Sequence, residues 1–237
     1  MTGAPENGEA ATDTMTSKGL KTPRAAAIAG ILFAVLLAVA IVLIRLTLPA
    51  DPAEAGQWLS DGGRRTFVVV AINLIPFAGI AFLWFIGAIR ARLGDREDRF
   101  FSTVFLGSGL LFVAMLFVAT AMVFGLLATF DAAPSTTSEI ELWDLGSKAS
   151  FAMLNVFAMR MAAVFVISTC TIALRTAVIK RWIAFLGLAI ALVLLVAASS
   201  VPYINMLFPL WILIVSLDLL RFSWRQGKEP PVITTEA

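Results

Sequence analysis

The chain has no histidine, one cysteine (Cys170) and one tyrosine (Tyr203) in 237 residues, and only 14% of it is charged. Each shortage closes a class of chemistry. Without an imidazole, neither the Ser-His-Asp triad nor the Ser-His dyad of intramembrane serine proteases can form from this chain. HExxH zinc peptidases and bis-histidine haem ligation fall for the same reason. One cysteine excludes an internal disulfide and any cysteine-cluster metal site. Cys170 lies in the apolar run Val166 to Ala173, where a thiol packs as a small hydrophobe. The expected inventory is short: no catalytic residues, no metal ligands and no cofactor.

What is present is apolar. Hydrophobic residues make up 59% of the chain and the mean hydropathy is +0.91, whereas soluble domains run at about 45–50% apolar and roughly 25% charged. A helix needs about 20 apolar residues to cross the hydrocarbon core of a bilayer. Six segments meet that requirement, at about 25–48, 66–90, 100–129, 149–174, 182–199 and 203–222. The expected fold is an all-α membrane protein, a six-transmembrane-helix bundle over residues 23–224. Residues 1–22, rich in Thr, Gly, Ala and Glu, read as a disordered tail, and residues 225–237 as a short loose one. The first apolar run exceeds the 7–15 residues or so of a signal-peptide core, so it reads as an uncleaved anchor. The last two segments are joined by only Ser200, Val201 and Pro202, which leaves a tight hairpin or a re-entrant element open there.

Lysine and arginine counts in short loops set orientation. With the N-terminus inside, the cytoplasmic side holds Lys18, Lys21, Arg24, Arg90, Arg92, Arg96, Arg99, Arg175, Lys180, Arg181, Arg221, Arg225 and Lys228. The other side holds only Arg45, Arg64, Arg65 and Lys148. Thirteen against four predicts both termini inside. The net charge of +2 and the pI of about 9.0 thus belong to membrane flanks. No soluble segment shows a basic groove with interleaved aromatics, so nucleic acid is not an expected partner.

Two outer loops carry helix signals. Asp51-Pro52-Ala53-Glu54 has an N-cap, a proline at N1 and an acid at N3, followed by Trp58 and a stop at Gly62-Gly63. Ser138 and Glu141 stand in capping-box spacing, ahead of Ile140, Leu142, Trp143 and a break at Gly146. Both predict short outer interfacial helices. The inner loop from Arg90 to Arg99 sets Arg90, Arg92, Arg96 and Arg99 against three acids. It reads as a hairpin with Gly94 ending one helix and Asp95 starting the next. Its arginines are the candidate contacts for anionic lipid headgroups or a partner protein.

Ionisable residues within spans raise functional questions by default. Arg160 stands about eleven residues into the fourth segment, near its middle, with no acid at matching depth. Asn155, five residues earlier, is about 140° away on a regular helix, so the two should not share a face. Asn73 and Pro76 give the second segment a polar position, a kink and a freed carbonyl near residue 72, with Asn205 and Pro209 behaving similarly in the sixth. Arg160, Asn73 and Asn155 form the candidate intramembrane polar site, as an anion or headgroup site or as an arginine that snorkels or bonds helix carbonyls. Asp218, about one turn from the inner surface, is placed to pair with Arg221 at i+3. Small residues at Ala26, Gly30, Ala34 and Ala38, and at Ala121, Gly125 and Thr129, permit close helix contact within the bundle or between copies. No 3+3 repeat and no filter-like segment is visible in the sequence.

The stretch IPFAGIAFLWFIGAIRARLGDREDRFFSTVFLGSG, residues 75–109, resembles a segment of an uncharacterised group of bacterial, largely actinobacterial, multi-pass membrane proteins. The resemblance implies a bacterial plasma membrane and no defined activity. Together these features lead us to expect an accessory, scaffold or lipid-interacting component. The alternative is a small oligomeric transporter or channel built around Arg160, Asn73 and Asn155.

Overall fold

A computed structural model describes residues 22–47, 61–93, 99–130, 136–176, 180–197 and 203–226. Those residues are helical almost throughout, with no strand among them. Helix α1 is Thr22–Thr47, α2 is Gly62–Leu93 and α3 is Arg99–Thr129. Then α4, Thr137–Ala152, runs through a π-helical segment, Met153–Ala158, directly into α5, Met159–Thr176. Helix α6 is Arg181–Ala197, and a 3₁₀ turn at Ile204–Met206 leads into α7, Leu207–Gln226. Five stretches are long and apolar enough to cross a membrane: Arg24–Leu46, Gly62–Arg90, Ser102–Thr129, Thr137–Arg175 and Ile204–Arg221. Arg181–Ala197 is a shorter apolar helix.

Helix α1 lies against α2 and α7, α3 joins α2 to the α4–α5 rod, and α6 packs on α5. The meeting point is a knot of phenyl rings. Phe33, Phe82, Phe85, Phe105, Phe112, Phe165 and Phe208 all have zero exposure and come from five different helices. Phe82 is central, with ring centroids at 4.5 Å to Phe33, 5.0 Å to Phe165, 5.4 Å to Phe112 and 5.8 Å to Phe208. The outside is apolar too, with Ile28, Phe77, Trp84, Leu192 and Val196 at least half exposed. A surface of that kind suits hydrocarbon rather than water. Between lipid and core the hydrophobic gain is small, so cohesion rests on van der Waals contact and ring geometry.

Small residues let the helices close in. A Cβ at Gly30 of α1 would stand 2.7 Å from the Phe85 ring, and one at Gly187 of α6 2.5 Å from Cys170 Sγ and 2.6 Å from Trp211 Nε1. The Ala26–Ala38 stripe is therefore used inside the bundle. Ala121, Gly125 and Thr129 lie on an exposed face instead, with open space over Gly125. Cys170 is buried, as its apolar setting predicts.

Several local expectations change. The fourth helix starts twelve residues before the expected 149, at Thr137, so its outer part is no separate interfacial helix. Its capping box is Thr136 with Glu139, not Ser138 with Glu141: Glu139 N–H donates to Thr136 Oγ1 (3.3 Å) and Thr136 N–H to Glu139 Oε2 (3.1 Å). Two overlapping S/T-x-x-E frames exist in this stretch, and the upstream one satisfies the helix donors first. Gly146 does not break the helix; it makes room for Leu126 of α3, whose side chain would be 2.8 Å from a Cβ there. Gly62 and Gly63 likewise open α2 rather than end a loop helix, with Asp61 Oδ1 accepting from Gly63 N–H at 3.0 Å. The expected helix over 51–60 and the caps at Gly94 and Asp95 lie outside the described residues.

Proline effects also sort by position. Helix α2 continues through Pro76, whereas Pro209 stands in the first turn of α7, where its missing N–H frees no internal carbonyl. Asp218 does not pair with Arg221. Lys180, just ahead of α6, reaches it at 3.1 Å, because α7 turns this carboxylate toward its neighbour and leaves its side chain only 14% exposed.

Candidate functional site

Most hydroxyls within the apolar helices are satisfied on their own helix. Ser108, Thr120, Ser168, Thr169 and Thr171 donate to carbonyls four residues back. Side chains that reach another helix are therefore informative. Arg65 donates to Leu127 O at 2.7 Å, a carbonyl in the last turn of α3, where the helix dipole favours a cation. Ser150 donates to Ala119 O at 2.9 Å, and Trp211 Nε1 to Ile183 O at 3.3 Å.

Among these links, one joins two buried polar side chains, an asparagine pair. Asn205 Nδ2 donates to Asn155 Oδ1 at 2.6 Å, joining the 3₁₀ turn before α7 to the π-helical segment. Asn155 is 4% exposed and Asn205 6%. The chain of donors fixes both amides. Asn155 Nδ2 donates to Phe151 O at 3.0 Å, so its oxygen faces Asn205, and the oxygen of Asn205 is left without a partner. A buried acceptor in that condition is uncommon.

Two backbone irregularities flank the pair. In the π-helical segment Met159 N–H donates to Leu154 O, five residues back. Such a turn brings residues five apart to similar azimuths, so the 140° separation of Asn155 and Arg160 expected for a regular helix does not apply. Tyr203 has φ 68°, a left-handed conformation unusual for a bulky residue. Its exposed ring lies 5.8 Å from the Arg45 guanidinium, close enough for a cation–π contact.

The expected triad separates. Arg160 is half-buried, and its Nη1 donates to Val156 O at 2.8 Å, inside the π-helical segment. Asn73 is exposed on α2 and donates to Val69 O of its own helix at 2.7 Å. Asn155 is committed to Asn205. The structure thus ties Asn155 and Arg160 to one π-helical segment, Asn155 as a member and Arg160 of the following helix through its bond to Val156 O, and leaves Asn73 on the outer surface. Asn205, which the sequence offered only as a kink residue, belongs to the site. Of the inner arginines, Arg90 is exposed at the end of α2, Arg92 and Arg99 belong to α2 and α3, and Arg96 lies outside the described residues.

The order of the donor chain gives a testable ranking. Asn155→Ala removes the one acceptor of Asn205 Nδ2 and leaves the whole buried Asn205 amide, whose oxygen already lacks a partner, without a hydrogen bond, which should destabilise the protein by about 1–3 kcal/mol. Asn205→Ala exposes one acceptor and removes another, so its effect should be smaller. The double variant should be milder than Asn155→Ala alone. Melting temperatures in detergent report the ranking, and equal single effects would contradict the proposed chain order.

Comparison of the chain with known proteins yields no match to a protein family, to a curated protein or to a solved structure.

Proposed function

We propose that this protein is a six-span component of a bacterial plasma membrane, both termini on the basic side, working as an accessory, scaffold or lipid-interacting subunit without catalytic machinery. The observation that carries this reading is the phenylalanine knot: seven buried rings from five helices occupy the axis along which a single-chain pathway would run. The six-span count rests on α6. Its 17 residues are near the lower limit for crossing, and it leads away from Lys180 toward the turn at Tyr203. Orientation rests on the thirteen-to-four distribution of basic residues. A transporter would need the polar residues to line one route, and exposed Asn73 and paired Asn155 support that less well.

Purified protein in liposomes should show no ion conductance or solute flux, and mild detergent should co-purify lipid or a membrane partner. In a Cys170→Ala background, Trp143→Cys should label from outside intact cells. Sustained flux from the purified protein would sink the accessory reading, and labelling only after permeabilisation would reverse the orientation.

A further inference from the structure

Arg160 has a donor surplus. A guanidinium carries five N–H donors, and among the described residues its single protein partner is Val156 O, with no carboxylate in ion-pair range. A half-buried cation in an apolar helix without a counter-ion is expensive, so its remaining donors call for an anion from outside the chain.

Its position says which anion. The side chain folds back toward the helix N-terminus, as helical side chains do, and reaches the level of Val156. From Arg175, at the basic end of α5, to Val156 is 19 residues, about 28 Å at 1.5 Å per residue. The hydrocarbon core is about 30 Å thick, so the guanidinium arrives at the far interface, where phosphates begin. Asn155, hydrogen-bonded to Asn205 two residues beyond the turn at Tyr203, marks the same level independently. Val164 and Ile167, four and seven residues inward of Arg160 and partly exposed, offer an acyl chain an apolar surface on the same side of the helix.

We propose that Arg160 binds the phosphate of an anionic phospholipid in the leaflet opposite the basic loops, with the acyl chains lying along Val164 and Ile167. This rests on the membrane reading above and specifies its lipid. A planar guanidinium engages phosphate oxygens bidentately, which lysine cannot match.

The test is native mass spectrometry and melting of the full chain in detergent with phosphatidylglycerol, phosphatidylcholine or inorganic phosphate added. The wild-type protein should retain phosphatidylglycerol selectively and be stabilised by it, Arg160→Gln should weaken that retention about tenfold, and Arg160→Lys should recover it only in part. Unchanged phosphatidylglycerol retention by Arg160→Gln overturns the proposal. Equal stabilisation by inorganic phosphate also overturns it, assigning the site to a free anion. If Arg160→Gln does not assemble, the wild-type comparison decides: no preference for phosphatidylglycerol over phosphatidylcholine rejects the site. Loss of lipid selectivity without flux defeats this inference alone, whereas flux in liposomes defeats the accessory reading.

Discussion

Phe82→Ala is expected to be the most damaging truncation in the bundle, lowering stability by about 3–5 kcal/mol, the range for large-to-small changes at buried aromatic sites. Phe82 touches the rings of Phe33, Phe85, Phe112, Phe165 and Phe208, which belong to four other helices and its own. Truncation leaves a void bounded by aromatic faces that cannot close without shifting a helix. In lipid the loss is chiefly one of contact, since the hydrocarbon outside is as apolar as the core. Phe77→Ala is the control: Phe77 is 62% exposed on the same helix, and its loss should be nearly silent. Equilibrium unfolding in mixed micelles measures both. Similar effects at Phe77 and Phe82 would show that the knot does not organise the bundle.

Gly30→Val should rival it from the opposite direction. Even the first atom of a side chain at Gly30 would fall 2.1 Å from Ser216 Oγ and 2.7 Å and 2.8 Å from Phe85 ring atoms. The serine hydroxyl can rotate away, but Phe85 is stacked on Phe82 at 6.2 Å and cannot. Helix α1 must therefore move off α2 and α7, at a cost of about 3 kcal/mol or more, the upper end for overpacking. Ser216→Ala separates the two obstacles. Ser216 is fully buried and its hydroxyl has no hydrogen-bond partner, so the alanine should be neutral or stabilising. Combined with Gly30→Ala it should recover part of the loss and leave the Phe85 part. Complete recovery would locate the whole obstacle at the serine.

Hydropathy located the apolar helices well because a span must be apolar on every lipid-facing side. The first, third and fifth segments, expected at 25–48, 100–129 and 182–199, appear as Thr22–Thr47, Arg99–Thr129 and Arg181–Ala197. The same signal was blind to Thr137–Lys148, which carries Glu139, Glu141 and Asp144. A helical stretch that carries acids has no apolar mark while keeping its hydrogen bonds, and only the capping-box spacing announced it. The phenylalanine knot was illegible for a different reason. Eighteen phenylalanines are available, and in a lipid-facing bundle inner and outer faces are equally apolar, so burial leaves no periodic trace. The asparagine pair was hidden twice, by its separation of fifty residues and by a turn that breaks the 100° per residue used to place side chains. Arg160 alone was conspicuous, since a charge within an apolar run needs no partner to be noticed.

The π-helical segment also sets a constraint on chain length. Each residue of a regular helix advances the azimuth by about 100°. A residue removed elsewhere in the rod, where no wide turn can absorb the change, would rotate everything beyond it by that angle and turn Phe165, Val166 and Cys170, now fully buried or nearly so, away from the bundle. Deleting one residue between Met153 and Ala158 would instead let the wide turn close to an ordinary one and leave the later residues near their present azimuth. What it would undo is local: the bond of Asn155 to Asn205 and the bond of Arg160 to Val156 O both rest on the widened turn.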